Sequence, residues 1–464
     1  MRKQLCLALV AASLTAAHAQ KVATSCDGPS IDDQGAERVQ GMLLLDLQDQ
    51  ADPRELARQY DLDLEFVSIH SLNDKLMIAR LPEARLAGTL RALDSDPRVT
   101  AVSPNYVCQL YSDAHGQAAS SPKQPQAPND PYYRMQWNLH MLHCEDAWKK
   151  NAGQNVRVAT VDTGLAYWNG DGFHRVEDLA QTRVMEGYDF VRGQAEARDE
   201  HGQGTHMAGT IAQSTNNGLG AAGLAYHAHL MPFKVLDGKG RGTFANVAAA
   251  IRLAGDRDAQ VIVLGLGGPK GSEVLHESIK YARSRGSLII AATGVKPNEE
   301  VPYPAAYPEV MAISAVDYKG KLTSYTTRGP KIDLAAPGGQ HGQNDYSGIV
   351  QNTIRQGDPR SSGYYQWSGT SMAAAHVAGV AALVAANGVK GPEAIERVLK
   401  ETALSKGAKG QKEGYGAGIV DAGRAVAKAR QVAEYQHTQE QLPLGLALAL
   451  LAGFGLTRRR KSCC

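Results

Sequence analysis

The sequence predicts an α/β fold: a parallel sheet with helices on both faces, preceded by a small α+β domain. Three observations carry this. Between residues 129 and 430, apolar β-rich runs (156–161, 261–266, 288–292, 310–316) alternate with Ala-rich helical stretches, and near-continuous apolar strands belong to sheets buried on both faces. Residues 39–107 alternate shorter strand-like and helix-like segments in a different order. Six cysteines among 464 residues cannot form a disulfide scaffold, so stability is expected from core size or bound metal. The 49 Lys and Arg nearly balance 47 Asp and Glu, a formal charge of +2. That balance argues against a nucleic-acid partner, which calls for a basic field.

The small domain reads in order. Residues 41–47 are strand-like, and 53–60 form a short helix opened by Pro53. Segments 64–70 and 75–81 are strands joined by a turn at Asn73-Asp74. Residues 83–93 show helical spacing, and 98–102 close with a last strand. This β-α-β-β-α-β order is ferredoxin-like. Residues 112–128 follow, rich in Ser, Gln and Pro, and read as a solvated, protease-accessible linker.

The termini carry addresses. Arg2 and Lys3, an apolar run over 5–12 and Ala17-His18-Ala19 form a signal peptide cut before Gln20. The chain is therefore expected to be exported. Near the other end, residues 442–456 are mostly Leu, Ala and Gly, followed by Arg458, Arg459, Arg460 and Lys461. As a helix this stretch would rise about 22 Å, short of a hydrocarbon core of roughly 30 Å. An apolar stretch with a basic stop is similar to the C-terminal sorting tails of bacterial surface proteins, so membrane anchoring through this tail is one expected arrangement. Cys26 and Cys108 bracket the small domain and are able to pair after export.

In a buried parallel sheet, chemistry collects at the carboxyl ends of strands. The strand over 156–161 ends at Asp162-Thr163-Gly164. A glycine-rich segment, His201-Gly-Gln-Gly-Thr-His206, delivers His206 at the start of a helix. In Gly369-Thr-Ser371-Met, Ser371 opens an Ala-rich helix. A serine hydroxyl needs an imidazole to take its proton, and the imidazole needs a carboxylate to fix its tautomer. A helix N-terminus offers N–H groups to a developing oxyanion. Each segment alone is weak. Asp-Thr-Gly also marks aspartic proteases, which need a second copy; His201 and His206 suit a metal, but no HExxH accompanies them; a serine in Gly-Thr-Ser suits a helix cap. Together, in the order Asp, His, Ser, they are specific.

With these motifs the chain resembles the subtilisin-like serine proteases, the subtilases, over residues 39 to about 430. Asn129-Asp-Pro-Tyr-Tyr133 with Gln136-Trp137 is similar to the mature amino terminus of thermitase-like members. Asp199 to Thr210, Asn216-Asn217-Gly218, Ala336-Pro337-Gly338 and Gly416 to Asp421 resemble family blocks in family order. The small domain resembles the family's inhibitory propeptide. The resemblance implies a signal peptide over 1–19, a propeptide over 20–107, a processing linker over 108–128, a catalytic domain over 129–430, and a spacer with apolar segment and basic tail over 431–464. It implies that Asp162 orients His206, that His206 is general base and then acid, and that Ser371 attacks the scissile carbonyl. Gly240, Gly242, Leu264, Gly265, Leu266 and Gly267 would line the cleft, which reads its peptide or protein substrate as an added strand. Asp130, Asp178 and Asn217 fall at the family's strong calcium site, implying structural calcium. The chain's own propeptide would be its inhibitor, and a monomer is expected.

Departures from the family pattern are as informative. The oxyanion asparagine is replaced by Val295, the family's Ser-Leu-Gly reads Gly265-Leu266-Gly267, and Gln203 stands where a histidine precedes the assigned base. Losing one oxyanion donor costs on the order of 100- to 1,000-fold in kcat, unless Thr293 or Asn298 substitutes. Two readings result: a secreted or surface-anchored serine endopeptidase, slowed by Val295, or a catalytically weak subtilase scaffold that binds peptides or partners.

Overall fold

The structure is a computed structural model that describes residues 30–32, 35–117, 128–340, 347–406 and 412–441. The first unit comprises β1 (Glu37–Leu47), α1 (Pro53–Tyr60), β2 (Asp63–Phe66), β3 (Leu76–Arg80), α2 (Glu83–Asp94) and β4 (Val99–Leu110). Its antiparallel strands lie in the order β4-β1-β3-β2, the ferredoxin-like arrangement expected from the sequence. The Asp52 side chain accepts from Arg54 N at 2.9 Å and starts α1 beside Pro53. One face of the sheet buries Leu43, Leu45, Met77 and Val102 against Leu56, Leu86 and Leu93 of the two helices.

After β4 the chain continues as β5 (Ser112–Gln117). The larger unit is built from β6 (Arg157–Asp162), α3 (Gln203–Ala212), β7 (His229–Lys234), β8 (Arg241–Thr243), α4 (Phe244–Asp256), β9 (Val261–Leu264), β10 (Leu266–Gly267), α5 (Glu273–Ser284), β11 (Leu288–Ala292), β12 (Val310–Val316), β13 (Leu334–Pro337), β14 (Ile349–Arg355), β15 (Asp358–Gly369), α6 (Thr370–Ala386), α7 (Pro392–Thr402) and α8 (Ala422–Gln441). Parallel pairing gives the order β13-β12-β11-β9-β6-β7, extended at the β7 edge by the short strands Arg183–Val184 and Tyr188–Asp189.

Successive strand residues point to opposite faces, and the burial follows that alternation. Val158, Val261, Val263, Ile290 and Ile313 pack with α3, α6, α7 and α8. Ala159, Val161, Ile262, Ile289 and Ala312 pack with α4 and α5. This explains the unbroken apolar strands: neither face sees water. Helix α6 is buried from Thr370 to Val384, so small residues all round let it pass beneath the sheet.

The first unit docks on the α4/α5 face, where Met42, Leu44, Ile78 and Ala101 join the larger unit's core. Arg252 of α4 reaches Asp46 of β1 at 2.5 Å, and both are buried. Ser103 and Ser272 share a 2.7 Å hydrogen bond, and Ala245 N donates to Asn105 Oδ1 at 3.1 Å.

Several boundaries differ from the sequence expectation: the first strand begins at Glu37 rather than 41, and the strand expected over 64–70 ends at Phe66, followed by a 3-10 turn over Ile69–Leu72. The last strand of the small domain runs on to Leu110, and 112–117, expected as solvated linker, is a strand paired with β15. Their partners lie more than a hundred residues away, beyond the reach of local composition. Residues 1–29 and 442–464, which hold the signal peptide, Cys26 and the C-terminal tail, lie outside the described residues, as do 118–127 of the linker. Cys108 is buried on β4 as a free thiol. Among the described residues, no helix is long and apolar enough to cross a membrane.

Candidate active site

Asp162 ends β6 at the carboxyl edge of the sheet, fully buried. The loop before α3 is fixed by Asp199, whose carboxylate accepts from His201 N and Gly202 N at 2.9 Å, Thr205 N at 3.0 Å and Thr205 Oγ1 at 2.6 Å. Burial alone would raise the Asp199 carboxyl, but nearby Lys234 and these donors outweigh it and leave it below the usual range. Helix α3 therefore starts tightly against β6. A Cβ on Gly204 would lie 2.2 Å from Gly164 O, so only glycine permits this approach. Ser371 is the second residue of α6, and its Oγ donates to Gly265 O at 2.9 Å.

The side chain between the carboxylate and the serine is Gln203. Its Nε2 donates to Asp162 Oδ2 at 2.7 Å and to Gly265 O at 3.1 Å, the oxygen that Ser371 Oγ also contacts. Its Oε1 accepts from Ser112 Oγ. This is where a general base must stand, hydrogen-bonded to the orienting carboxylate and within reach of the nucleophile. The assignment of that role to His206 is therefore corrected. His206 lies one helical turn further on, its Nε2 is bonded to Ile349 O at 2.9 Å, and its ring tilts on Trp367 with centroids 5.6 Å apart. The structure joins Asp162 and Ser371 through Gln203, and places His206 against β14 and β15.

A neutral amide changes the electrostatics. Burial pushes the Asp162 carboxyl up to about 7, against the opposing hydrogen bonds from Thr163 N–H and Gln203. The hydrogen bonds to Asp162 from Thr163 N–H and the Gln203 amide come from neutral groups. The Ser371 hydroxyl has no base beside it either, since its proton is directed at a peptide oxygen and an amide nitrogen has no basic lone pair to receive it.

Val295, at the position of the oxyanion asparagine, is half-buried and packs on the core. Neither proposed substitute takes its place: Thr293 Oγ1 donates to Ile313 O at 2.9 Å, and Asn298 is exposed. The N–H of Ser371, in the first turn of α6 where such donors lack helical acceptors, is retained.

At the expected cleft edges, five of the six residues lie against the end of β4 or the Ser371 hydroxyl. Gly242 pairs with Cys108, Leu266 with Leu110 and Gly267 with Gln109. Gly240 lies against Leu110, where a Cβ would sit 2.3 Å from Leu110 Cδ1. Gly265 turns its oxygen to Ser371 and Gln203. Leu264 does not line the cleft: it pairs within the parallel sheet and is buried in the α4/α5 core, because period-two alternation turns it inward. The sequence reading takes Gln203 only as a departure beside the assigned base, and it misses Tyr111 and Ser112. The glycine-flanked position of Gln203 at the start of α3 was the available signal, obscured because a chemically competent histidine follows three residues later.

At the candidate calcium site, the Asp130 carboxylate accepts from Asn216 N at 2.9 Å and Asn217 N at 3.3 Å. Asp178 accepts from Asn217 Nδ2 and from Ala221 N, both at 2.8 Å. Burial raises Asp130 and pushes Asp178 up to about 7, and Asp130 adds to the Asp178 shift. Two buried carboxylates held by neutral donors fit a hard cation. Among the described residues, no cluster of three His, Cys, Asp or Glu side chains suited to a metal is found, so backbone and amide oxygens would have to complete such a site.

Comparison with known proteins agrees with this architecture. A Subtilase family model matches residues 153–418, more than half of the chain. Thermitase from Thermoactinomyces vulgaris is 37% identical over 262 residues, 56% of this chain and 86% of that protein. A thermophilic serine proteinase from Bacillus sp. (strain AK1) is 31% identical over 371 residues, covering 79% of this chain and 82% of its own. Among solved structures, fervidolysin from Fervidobacterium pennivorans, a keratinolytic enzyme related to subtilisin, superposes with a TM-score of 0.67 over 86% of this chain and 62% of its own; at 24% identity it speaks for the fold alone. The chain belongs to the Subtilase family of serine endopeptidases.

Proposed function

We propose that this subtilase works chiefly by holding an extended peptide in its cleft, with hydrolysis reduced to a residual rate. The observation that carries the reading is Gln203, bonded to Asp162 at 2.7 Å where the base belongs. In subtilisin, loss of the triad histidine alone lowers kcat by roughly a millionfold. From a typical kcat of about 10 per second, that leaves about one turnover in a day. Val295 removes a further donor. The peptide-binding edges β8 and β10 are intact, and they need no proton transfer. The competing reading, an efficient endopeptidase, is favoured by the retention of Asp162 and Ser371.

The finer assignments belong to the same proposal. Residues 1–19 export the chain, the ferredoxin-like unit is its propeptide-like partner, and the basic tail is a surface-sorting element. Asp130, Asp178 and Asn217 would hold a calcium ion, whose charge would offset two buried carboxylates. Intact mass of the exported protein, incubated for a day at pH 8 beside Ser371→Ala, tests the central claim. Both remain uncut between the two units if it is right. Rapid cutting that Ser371→Ala abolishes overturns it.

A further inference from the structure

Residues 107–117 cross the cleft on both sides of the nucleophile. Before it, Cys108 pairs with Gly242 on β8, and Gln109 and Leu110 pair with Gly267 and Leu266 on β10, so the end of β4 is a strand inserted between two edges. After it, Ser112, Asp113 and Ala114 pair antiparallel with Gly369, Ser368 and Trp367 of β15, the strand that runs directly into Ser371. Tyr111 is the one residue between these ladders.

Its surroundings fix what each end does. Tyr111 is 7% exposed and belongs to the core around α6. A Cβ on Gly267 would come within 2.8 Å of Tyr111 Cε2 and Oη, so the ring lies flush on the backbone of β10. The ring also lines a cavity of roughly 410 Å³ together with Gly294 and Val295. A Cβ on Gly369 would lie 2.3 Å from Tyr111 O, which puts that carbonyl against the turn leading into Ser371. On the far side of the bond, Ser112 Oγ donates to Gln203 Oε1.

From this register we infer that the Tyr111–Ser112 peptide bond is the one presented to Ser371, with Tyr111 filling the primary specificity pocket, and that the pocket selects an aromatic side chain. The inference rests on the reading of Gln203 as the vacated base position. A base restored there would take the Ser371 Oγ proton as Oγ bonds to the Tyr111 carbonyl carbon. The C–N bond would then break, with the proton passing to the Ser112 amine. Water would next hydrolyse the ester, leaving a Tyr111 carboxylate and a chain beginning at Ser112. Because glutamine cannot take that proton, the bond stays closed and the chain keeps its own strand as the occupant of the cleft.

The test is Gln203→His in the full chain, alone and with Val295→Asn, read by intact mass and terminal sequencing, with Gln203→His/Ser371→Ala as control. The expected result is Ser371-dependent scission between Tyr111 and Ser112, slowed about a hundredfold or more by Tyr111→Asp and little changed by Tyr111→Phe. Ser371-dependent scission at another bond, or indifference to Tyr111→Asp, overturns the register while leaving the base assignment standing. Folded, uncut protein in both histidine variants overturns the base assignment, and the inference with it. Should the histidine variants not fold, amide exchange of the wild type decides: protection over hours at 108–110 and 113–114 is expected, and exchange within seconds overturns the inserted strand.

Discussion

At Gln203 a single amide replaces a proton acceptor without disturbing the geometry around it. Its two N–H bonds, to Asp162 and Gly265 O, and its acceptor bond from Ser112 use the whole functional group. Chemistry can therefore be restored by the side chain alone, and Val295→Asn in a Gln203→His background should raise the self-cleavage rate about 100- to 1,000-fold over Gln203→His, measured by mass against time. Asp162 gives a second prediction. Its folded carboxyl sits near 7 through burial, whereas an unfolded aspartate titrates near 3.9. Between those values the folded state holds a proton that the unfolded state has lost, so stability falls as pH rises from about 4 to 7 and levels off above. Asp162→Asn should flatten that part of the curve, by up to about 4 kcal/mol for a shift of three pH units. Urea unfolding from pH 4 to 8 measures it, and an unchanged slope would show that Asp162 carries no burial penalty.

At the scale of elements, β4 and α4 join the two units. Arg252 and Asp46 are both 8% exposed in their side chains, and burial raises the Asp46 carboxyl despite the guanidinium beside it. Arg252→Met should destabilise the protein by about 3–5 kcal/mol, because Asp46 is left charged and buried without its partner, while Arg252→Met with Asp46→Leu should recover most of the loss. Denaturant midpoints at constant m-value separate the two outcomes. The same elements show what was legible beforehand. The parallel sheet and the β-α-β-β-α-β unit could be read because their signals, apolar runs and local periodicity, lie within a few residues. The places of Asp162 at the end of β6 and Ser371 at the start of α6 could be read because each ends or opens an element with a strong signature. The run of β4 to Leu110, the pairing of β5 and the inward turn of Leu264 depend on partners far along the chain. The misplacement of the base had another cause: two positions one helical turn apart at the start of α3 compete for one role, and residue chemistry favoured His206 where only packing against Asp162 selects Gln203.

For the whole molecule, the question is whether a unit that resembles a removable propeptide behaves as a separate body. Met42, Leu44, Ile78 and Ala101 sit in the same hydrophobic cluster as Ile251, Ile262 and Ile279, and the end of β4 is hydrogen-bonded between β8 and β10. Opening the first unit alone would expose that cluster, strip the cleft edges of their partner strand and leave Arg252 and Asp46 unpaired. Apolar area costs about 25 cal/mol per Å² to return to water, so partial opening forfeits much of what complete unfolding would. Cooperativity across the two units follows. Calorimetry of the uncut chain should give a single transition with equal calorimetric and van't Hoff enthalpies. A tryptophan-fluorescence transition should coincide with it, because all four tryptophans (Trp137, Trp148, Trp168, Trp367) lie in the larger unit. Severing Tyr111 from Ser112 in Gln203→His removes the covalent link but not the shared cluster. The cut protein should therefore still melt as one body at high concentration, with a midpoint that falls on dilution as the fragments separate by mass action. Two resolved transitions in the uncut chain would mean that the cluster does not couple the units and that the first unit is only tethered to the cleft.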